Sequence, residues 1–158
     1  MIKQIVKLKV NGEFHEVAVE PRMTLRDVLR ESLGLTGTKN GCSLGNCGSC
    51  TVLLDGKPVV SCLLLAIEAQ GKEILTIEGL SENGQLHPVQ QAFIDHSALQ
   101  CGFCTPGMVL SAKALLDNNP NPTEDEIKEA ISGNLCRCTG YVDIVETISD
   151  VSKELKED

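Results

Sequence analysis

Four of the eight cysteines in this chain have the spacing that an iron–sulfur centre requires. Cys42, Cys47 and Cys50 share one short stretch, and Cys62 follows later in the chain. This C-x4-C-x2-C…C order, with three thiolates from one loop and a fourth from a later segment, is typical of a 2Fe-2S cluster. We therefore predict that these four residues, called the first site below, hold such a cluster.

Glycines are interspersed with the first three of these cysteines, at Gly41, Gly45 and Gly48. Glycine adopts left-handed backbone conformations without a Cβ clash, and it lets peptide N–H groups point towards an anion. An oxidised 2Fe-2S cluster with four thiolates carries a formal charge of about −2. The loop is therefore predicted to contain left-handed glycines and inward N–H groups.

The other four cysteines form two close pairs, Cys101 with Cys104 and Cys136 with Cys138, called the second site below. Four thiolates also bind a structural zinc ion, but the C-x1-C spacing of the second pair is tighter than usual zinc spacings. The C-x2-C-x2-C-x3-C-P run of bacterial 4Fe-4S proteins is absent from the sequence. An iron–sulfur pattern on the same chain favours a second 2Fe-2S cluster, with zinc as the alternative.

A threonine follows each of these pairs, immediately before a predicted helix. Thr105 and Thr139 are therefore candidate N-caps. The N-terminus of a helix carries partial positive charge and free N–H groups, which favour an anionic ligand. Two helix N-termini are expected to face the second site.

The first half of the chain is predicted to form a sheet with one crossing helix. Residues 3–10 and 13–19 alternate polar and apolar side chains around Asn11-Gly12, which indicates an antiparallel hairpin. Thr24 with Asp27 begins a helix that ends at Gly34. A strand follows at residues 51–54, then a turn at residues 55–58, a strand that runs from this turn into Cys62, and a strand at residues 74–77.

From residue 80 the apolar periodicity changes from 2 to 3.6, after which four helices are predicted. They begin at Pro88, Pro106, Thr123 and Tyr141, and the polar stretch 81–84 reads as a linker. The predicted fold class is α+β. A β-grasp domain of the plant-type ferredoxin kind spans residues 1–78, and a four-helix bundle with the second cluster spans residues 79–158.

Composition limits the partners and the compartment. The net charge of −8 argues against binding nucleic acid or anionic lipid through a basic patch. The N-terminus has no signal-peptide core and no run of about 18 apolar residues occurs, so the chain is expected to be cytoplasmic without a membrane span. His15, His87 and His96 match no ligand spacing, and no catalytic acid, base or nucleophile is predicted.

Three segments together resemble the small iron–sulfur subunit of the molybdenum hydroxylases: residues 41–50, 100–108 and 133–141. That family includes xanthine dehydrogenase, aldehyde oxidoreductase, aerobic carbon monoxide dehydrogenase, nicotinate dehydrogenase and 4-hydroxybenzoyl-CoA reductase. The sequence departs from the family pattern at Ser49, where alanine is common, and at Asn46, where an acid is frequent. Neither position is a predicted ligand.

The resemblance implies that this chain relays electrons for an oxidoreductase complex. A large partner subunit would carry a molybdopterin-type molybdenum cofactor, and a medium subunit would carry FAD. The second site would lie near the pterin, with Gln100 and Cys138 as pterin contacts, and the first site would face the flavin. Gln100 could instead tie the loop to its own backbone. Arg137, between two predicted ligands, could raise the potential of the second cluster or act as a surface counter-ion.

Two other functions fit the same cysteines. A free-standing two-cluster ferredoxin would carry electrons between separate enzymes, and a zinc-stabilised interaction module would carry none. Iron and visible absorbance would exclude the zinc module. Co-purification with a molybdenum-containing large chain would distinguish a subunit from a free ferredoxin.

Overall fold

The computed structural model describes residues 3–155. The chain begins with strands β1, Gln4–Val10, and β2, Glu13–Val19, which pair in an antiparallel hairpin. Asn11 and Gly12 connect them with φ angles of 52° and 84°. Both angles are positive, as a two-residue type I′ turn requires. The predicted hairpin is confirmed.

Helix α1 comprises an α-helical turn, Leu25–Asp27, that continues as a π-helical turn, Val28–Ser32. The Asp27 N–H donates to the Thr24 hydroxyl, which confirms the predicted N-cap. The π-turn is closed by the Leu33 N–H, which donates to the carbonyl of Val28 at 3.1 Å. The apolar face of α1 is buried against the hairpin.

Strands β3, Thr51–Leu54, and β4, Lys57–Val60, form a second antiparallel hairpin. The predicted continuation of β4 into Cys62 is wrong, because the Leu63 N–H bonds to the Val60 carbonyl and closes a turn there. Strand β5 is Glu73–Leu75, so the prediction of a strand at residues 74–77 is also wrong at both ends. Short 3-10 helices, Ala66–Ala69 and Ile77–Leu80, flank β5.

The five strands form one sheet in the order β2-β1-β5-β3-β4. Strand β5 is parallel to β1 and antiparallel to β3. The Asn11 side chain accepts a 2.8 Å hydrogen bond from the Thr76 N–H, which ties the first hairpin to the end of β5. One face of the sheet packs against α1 in a core that is aliphatic, since aromatic residues make up only 3% of the chain.

Four longer helices follow: α2, Pro88–Asp95; α3, Thr105–Asn118; α4, Glu124–Ile131; and α5, Val142–Glu154. Thr123 and Glu126 form the predicted capping box of α4. His87 caps α2 through Nδ1, an ordinary role for a histidine. The mixed α/β architecture, with a sheet followed by helices, is confirmed.

The predicted N-caps Thr105 and Thr139 are both wrong. Helix α3 begins one residue earlier than the prediction, at Thr105, with Cys104 as the flanking residue. Tyr141 has a left-handed φ of 71° and so cannot begin α5, which starts at Val142. Thr139 lies before Tyr141, and its hydroxyl contacts the second site instead.

The helices pack on one another and also on the sheet. Helix α3 lies against β3, and Leu53 of β3 belongs to the same apolar core as the four helices. The predicted linker is an ordered tight turn, in which Glu82 and Gln85 exchange two backbone hydrogen bonds. No helix within residues 3–155 combines the length and the apolar character that crossing a membrane needs.

Candidate iron–sulfur sites

The first site is assembled from two connections of the sheet. The loop between α1 and β3 supplies Cys42, Cys47 and Cys50, and the turn after β4 supplies Cys62. The thiols form two adjacent pairs: Cys42 lies beside Cys47, and Cys50 lies beside Cys62. Cys50 and Cys62 are buried, whereas Cys42 and Cys47 are partly exposed. The site therefore extends from the surface into the protein.

The loop glycines have two different roles. Gly45 and Gly48 have φ angles of 77° and 67°, in the left-handed region that was predicted for them. Gly41 does not, so the prediction is wrong at this position. A Cβ at Gly41 would lie 2.6 Å from the Ser49 hydroxyl and 2.8 Å from the sulfur of Cys47, so any side chain there would displace these two groups.

Inward N–H groups make the outer edge of the first site favourable for negative charge. The Leu44 N–H donates to the Cys42 sulfur at 3.3 Å. Hydrogen bonds from the backbone of Leu44 and Cys47 lower the pKa of Cys42 to about 6. In contrast, burial raises the pKa of Cys50 to about 11. The loop thus stabilises thiolate at its rim, as predicted. Burial keeps the inner thiol of Cys50 protonated unless a bound cation stabilises its thiolate.

The second site is built from the loop before α3 and the loop before α5. Its thiols also form two pairs, because Cys101 lies beside Cys138 and Cys104 lies beside Cys136. The first pair is exposed, and Cys104 is buried. Burial, followed by the hydrogen bond to Cys136, raises the pKa of Cys104 to about 12. The structure therefore arranges the four residues that the sequence singled out as two close pairs.

The two exposed thiols of the second site lie close together without a covalent bond. The sulfurs of Cys101 and Cys138 are 3.5 Å apart, far longer than a disulfide bond of about 2.05 Å. A tetrahedral ion with metal–sulfur bonds of about 2.3 Å holds two thiolates about 3.8 Å apart. Within residues 3–155, no three His, Cys, Asp or Glu side chains converge on one point that a single ion could occupy.

Two residues of the second site were not recognised as such in the sequence. The Thr139 hydroxyl and N–H donate to the Cys136 sulfur at 3.2 and 3.5 Å. Burial opposes ionisation of Cys136, but the hydrogen bonds from Thr139 and Cys138 outweigh it and lower its pKa to about 7. The Tyr141 hydroxyl accepts a 2.9 Å hydrogen bond from the Cys136 N–H and so fixes the loop. Only the position of Thr139 beside a cysteine could have suggested its role.

The two predicted pterin contacts lie next to each other. The Gln100 side-chain amide donates to the Cys138 carbonyl at 3.2 Å. The alternative role of Gln100, a buried amide that ties its loop to its own backbone, is wrong, because the side chain is exposed and its acceptor lies in the loop before α5. Arg137, between Cys136 and Cys138, is exposed.

The two sites are in direct contact through their loops. The Leu135 N–H donates to the Cys47 carbonyl at 2.9 Å. The buried Asn134 side chain donates to the Gly48 carbonyl at 3.0 Å and accepts from the Ser111 hydroxyl at 2.8 Å. Neither link was predicted, because the partners are far apart in the sequence.

Two glycines permit this close approach. A Cβ at Gly48 would lie 2.2 Å from the Gly133 carbonyl oxygen, and a Cβ at Gly107 would lie 2.6 Å from the Gly48 carbonyl oxygen. Real Cβ atoms do not come this close to backbone oxygens. Larger residues at either position would therefore push the two sites apart.

Two family models together match residues 8–149. A 2Fe-2S iron–sulfur cluster binding domain matches residues 8–76, and a [2Fe-2S] binding domain matches residues 76–149. The small FeS subunit of nicotinate dehydrogenase from Eubacterium barkeri is 53% identical over 144 residues, which are 91% of this chain and 92% of that protein. The iron–sulfur-binding subunit of an Escherichia coli (strain K12) aldehyde oxidoreductase is 46% identical over 94% of this chain and 72% of that protein.

Solved structures give the same assignment. A chain of quinoline 2-oxidoreductase from Pseudomonas putida 86 superposes with a TM-score of 0.94 and 50% identity, covering 98% of this chain and 97% of that one. Aldehyde oxidoreductase from Desulfovibrio desulfuricans superposes with a TM-score of 0.93 and 43% identity over 98% of this chain, which spans 17% of that longer polypeptide. The chain therefore belongs to the family of small iron–sulfur subunits of the molybdenum hydroxylases, with two 2Fe-2S-binding domains.

Proposed function

We propose that the eight cysteines bind two 2Fe-2S clusters. Cys42, Cys47, Cys50 and Cys62 hold one, and Cys101, Cys104, Cys136 and Cys138 hold the other. The observation that carries this proposal is the arrangement of thiols in two pairs per site, each site with an outer pair and at least one buried thiol. Each cluster supplies one-electron chemistry when it is bound. The protein's own residues fix the thiolates and surround them with N–H donors.

The function that follows is electron transfer within a molybdenum-dependent oxidoreductase complex. The relatives described above are subunits of dehydrogenases and oxidoreductases, which implies that larger subunits accompany this chain. We propose one subunit with a molybdopterin-type cofactor beside the second site, where Gln100 and Cys138 contact the pterin. Both residues are exposed and joined by a hydrogen bond, so they form one surface that a pterin could reach.

We further propose that an FAD-binding subunit docks beside the first site. Cys42 and Cys47 lie at the partly exposed edge of that site, whereas Cys50 and Cys62 face the interior. Electrons would enter through the second site and leave through the outer edge of the first. The hydrogen bond from the Leu135 N–H to the Cys47 carbonyl joins the loops of the two sites and supports this relay. We also propose that the protein is cytoplasmic. None of the eight cysteines forms a disulfide bond, which suits a reducing compartment.

The finer fold assignment is also a proposal. We infer a β-grasp domain over residues 1–78 and a four-helix bundle over residues 79–158. The parallel pairing of β1 with the late strand β5 supports the first, and contacts of α2 with α3 and α5, and of α4 with α3 and α5, support the second. Leu80 is buried among the helices, which favours a boundary just before it.

Purification of the native complex, followed by metal analysis, tests the proposed function. The small subunit should contain about four iron and four acid-labile sulfide per chain. It should co-purify with a large chain that contains molybdenum and with a flavoprotein. Full iron content in a chain that purifies alone would favour the free-standing ferredoxin. Stoichiometric zinc without visible absorbance would exclude both redox functions.

A further inference from the structure

A buried arginine lies beneath the loop of the first site. The side chain of Arg26 in α1 is only 11% exposed. Its Nη1 donates to the Asn40 side chain at 2.8 Å and to the Ser43 hydroxyl at 2.7 Å. Asn40 and Ser43 lie on either side of the Gly41-Cys42 segment that opens the site. A positive charge therefore lies directly against the cluster-binding loop.

The same residue contacts the other segment of the site through its backbone. The Arg26 N–H donates to the Ser61 carbonyl at 3.2 Å, and Ser61 precedes Cys62. The Ser61 hydroxyl donates to the Cys50 carbonyl at 2.7 Å. Arg26 is thus linked, directly or through one residue, to the regions that supply three of the four thiols.

A buried guanidinium is unfavourable unless it is paired, and Asp27 provides the pair. Nε and Nη2 of Arg26 donate to one Asp27 carboxylate oxygen at 2.9 and 2.5 Å. The pair is polarised. The arginine end faces the loop, while the Asp27 side chain lies on the opposite side of the guanidinium and is 27% exposed. Water screens the carboxylate more than the guanidinium, so the field at the loop is positive.

We propose that the Arg26–Asp27 pair sets the reduction potential of the cluster in the first site, with Arg26 raising it. The proposal rests on the assignment of that cluster to Cys42, Cys47, Cys50 and Cys62. Reduction adds one electron to an anionic cluster, with no bond formed or broken. A fixed positive charge stabilises the reduced form more than the oxidised form. Arg26 is a positioning residue in this scheme, since it acts through the field and the loop and is not itself a ligand.

The test is a redox titration of the full-length chain carrying both clusters, with dithionite as reductant and electron paramagnetic resonance as the readout. Arg26→Gln removes the positive charge and should lower the potential of the first cluster. Asp27→Asn leaves the guanidinium unpaired and should raise it. Each change should alter the ratio of reduced to oxidised cluster at a fixed potential roughly tenfold, which is about 59 mV for one electron. The reduction potential of the second cluster, measured in the same sample, should be unchanged in both variants.

Arg26→Lys separates charge from loop geometry. Lysine keeps the charge but lacks the planar fork of donors. Retention of most of the native potential supports the proposal. If Arg26→Lys lowers the reduction potential of the first cluster as much as Arg26→Gln does, the proposal is wrong, because loop geometry and not charge then sets that potential. Shifts of the same sign in Arg26→Gln and Asp27→Asn, or equal shifts of both clusters, also overturn it.

The proposal can still be tested if Arg26→Gln fails to assemble a cluster in the first site. In that case the Asp27→Asn variant alone decides, since a raised potential supports the proposal and an unchanged one overturns it. Failure of the ligand assignment would look different. The native chain would then lack a second paramagnetic signal, or Cys47→Ser would leave both signals intact.

Discussion

The Leu135 N–H donates to the carbonyl of Cys47 at 2.9 Å, so a candidate ligand of one site is one hydrogen bond from the residue next to Cys136 of the other. The route from Cys47 to Cys136 consists of one hydrogen bond and otherwise covalent bonds. Asn134, beside Leu135, fixes the position of this contact through its bonds to Gly48 and Ser111. Substitutions here should affect both stability and the passage of electrons.

Asn134→Ala should destabilise the chain by about 1–3 kcal/mol, because the Gly48 carbonyl and the Ser111 hydroxyl lose a buried partner. For a chain of this size, that corresponds to a decrease of about 3–10 °C in apparent Tm. Thermal melts monitored by circular dichroism and by visible absorbance measure it. Ser111→Ala is the matched control and should cost less, since it removes only one of these bonds. An Asn134 variant as stable as the control would contradict the structural role given to the asparagine.

Substitution of one ligand in each site should show that the two clusters act at different points in the path of electrons. In Cys47→Ser, substrate should still reduce the second cluster rapidly, while turnover with the terminal acceptor falls steeply. In Cys138→Ser, reduction of the first cluster and of the flavin should be blocked. Rapid-freeze paramagnetic resonance of the assembled complex follows each cluster separately. The proposed order is wrong if substrate still reduces the first cluster when the second is shown to be absent, or if Cys47→Ser turns over at the native rate.

Ser49 provides a way to adjust the reduction potential of the cluster in the first site. Its hydroxyl lies 3.1 Å from the Cys47 sulfur and is buried. A hydrogen bond to a ligand sulfur stabilises the reduced cluster. Ser49→Ala should therefore lower its potential by about 20–60 mV, the equivalent of one hydrogen bond. Ser149→Ala, on α5 away from the site, is the control. A potential raised by Ser49→Ala would contradict this account.

The cluster-free, reduced chain should show graded thiol reactivity. The pKa of Cys42 is lowered to about 6, so at pH 7 it is largely thiolate, and its alkylation should decrease as the pH falls through 6. Cys50 and Cys104, whose pKa values are raised to about 11 and about 12, should react slowly even at pH 8. Timed alkylation with iodoacetamide and peptide mapping by mass spectrometry measures each rate. Leu44→Pro removes one N–H donor and should shift the Cys42 profile to higher pH.

Much of the fold could be predicted from local sequence patterns. Asn11-Gly12 indicated a hairpin, Thr24 and Thr123 indicated helix starts, and cysteine spacing predicted the two groups of thiols whose members the structure places in close pairs. These features depend on residues within a few positions of one another. The hydrogen bond from Asn134 to Gly48 could not be predicted, because the two residues are 86 positions apart. An asparagine after a glycine is also common in ordinary turns. The left-handed conformation of Tyr141, which sets the start of α5, could not be predicted either, because a bulky residue rarely adopts it.

Arg26 shows a second limit of the sequence. On a short helix, next to Asp27, it resembles one member of a solvent-exposed ion pair. Its burial arises from the return of the cluster loop over α1, which places Asn40 and Ser43 against the guanidinium. Only the path of the loop reveals this environment.

The first half should hold its cluster when produced alone. A chain ending at residue 79 keeps all four thiols of the first site and should bind about two irons. It should also aggregate, because Leu53, which is 2% exposed in the whole chain, loses the cover of α3. Leu53→Gln should improve solubility of the short chain and destabilise the full-length chain, and light scattering with thermal melts tests both. A soluble, folded short chain without iron would mean that Cys62 is not the fourth ligand.

The central strand of the sheet is the last of the five to emerge from the ribosome. Both hairpins are synthesised before Glu73–Leu75, and they stay unjoined until β5 inserts between β1 and β3. All four thiols of the first site precede β5, so during translation they belong to a scaffold that is still in two parts. Folding of a sheet closed by a late strand is slow compared with local hairpin formation. We therefore expect the first site to be loaded only after β5 has joined the two hairpins, so that loading is timed by the arrival of this strand and not by the appearance of the thiols.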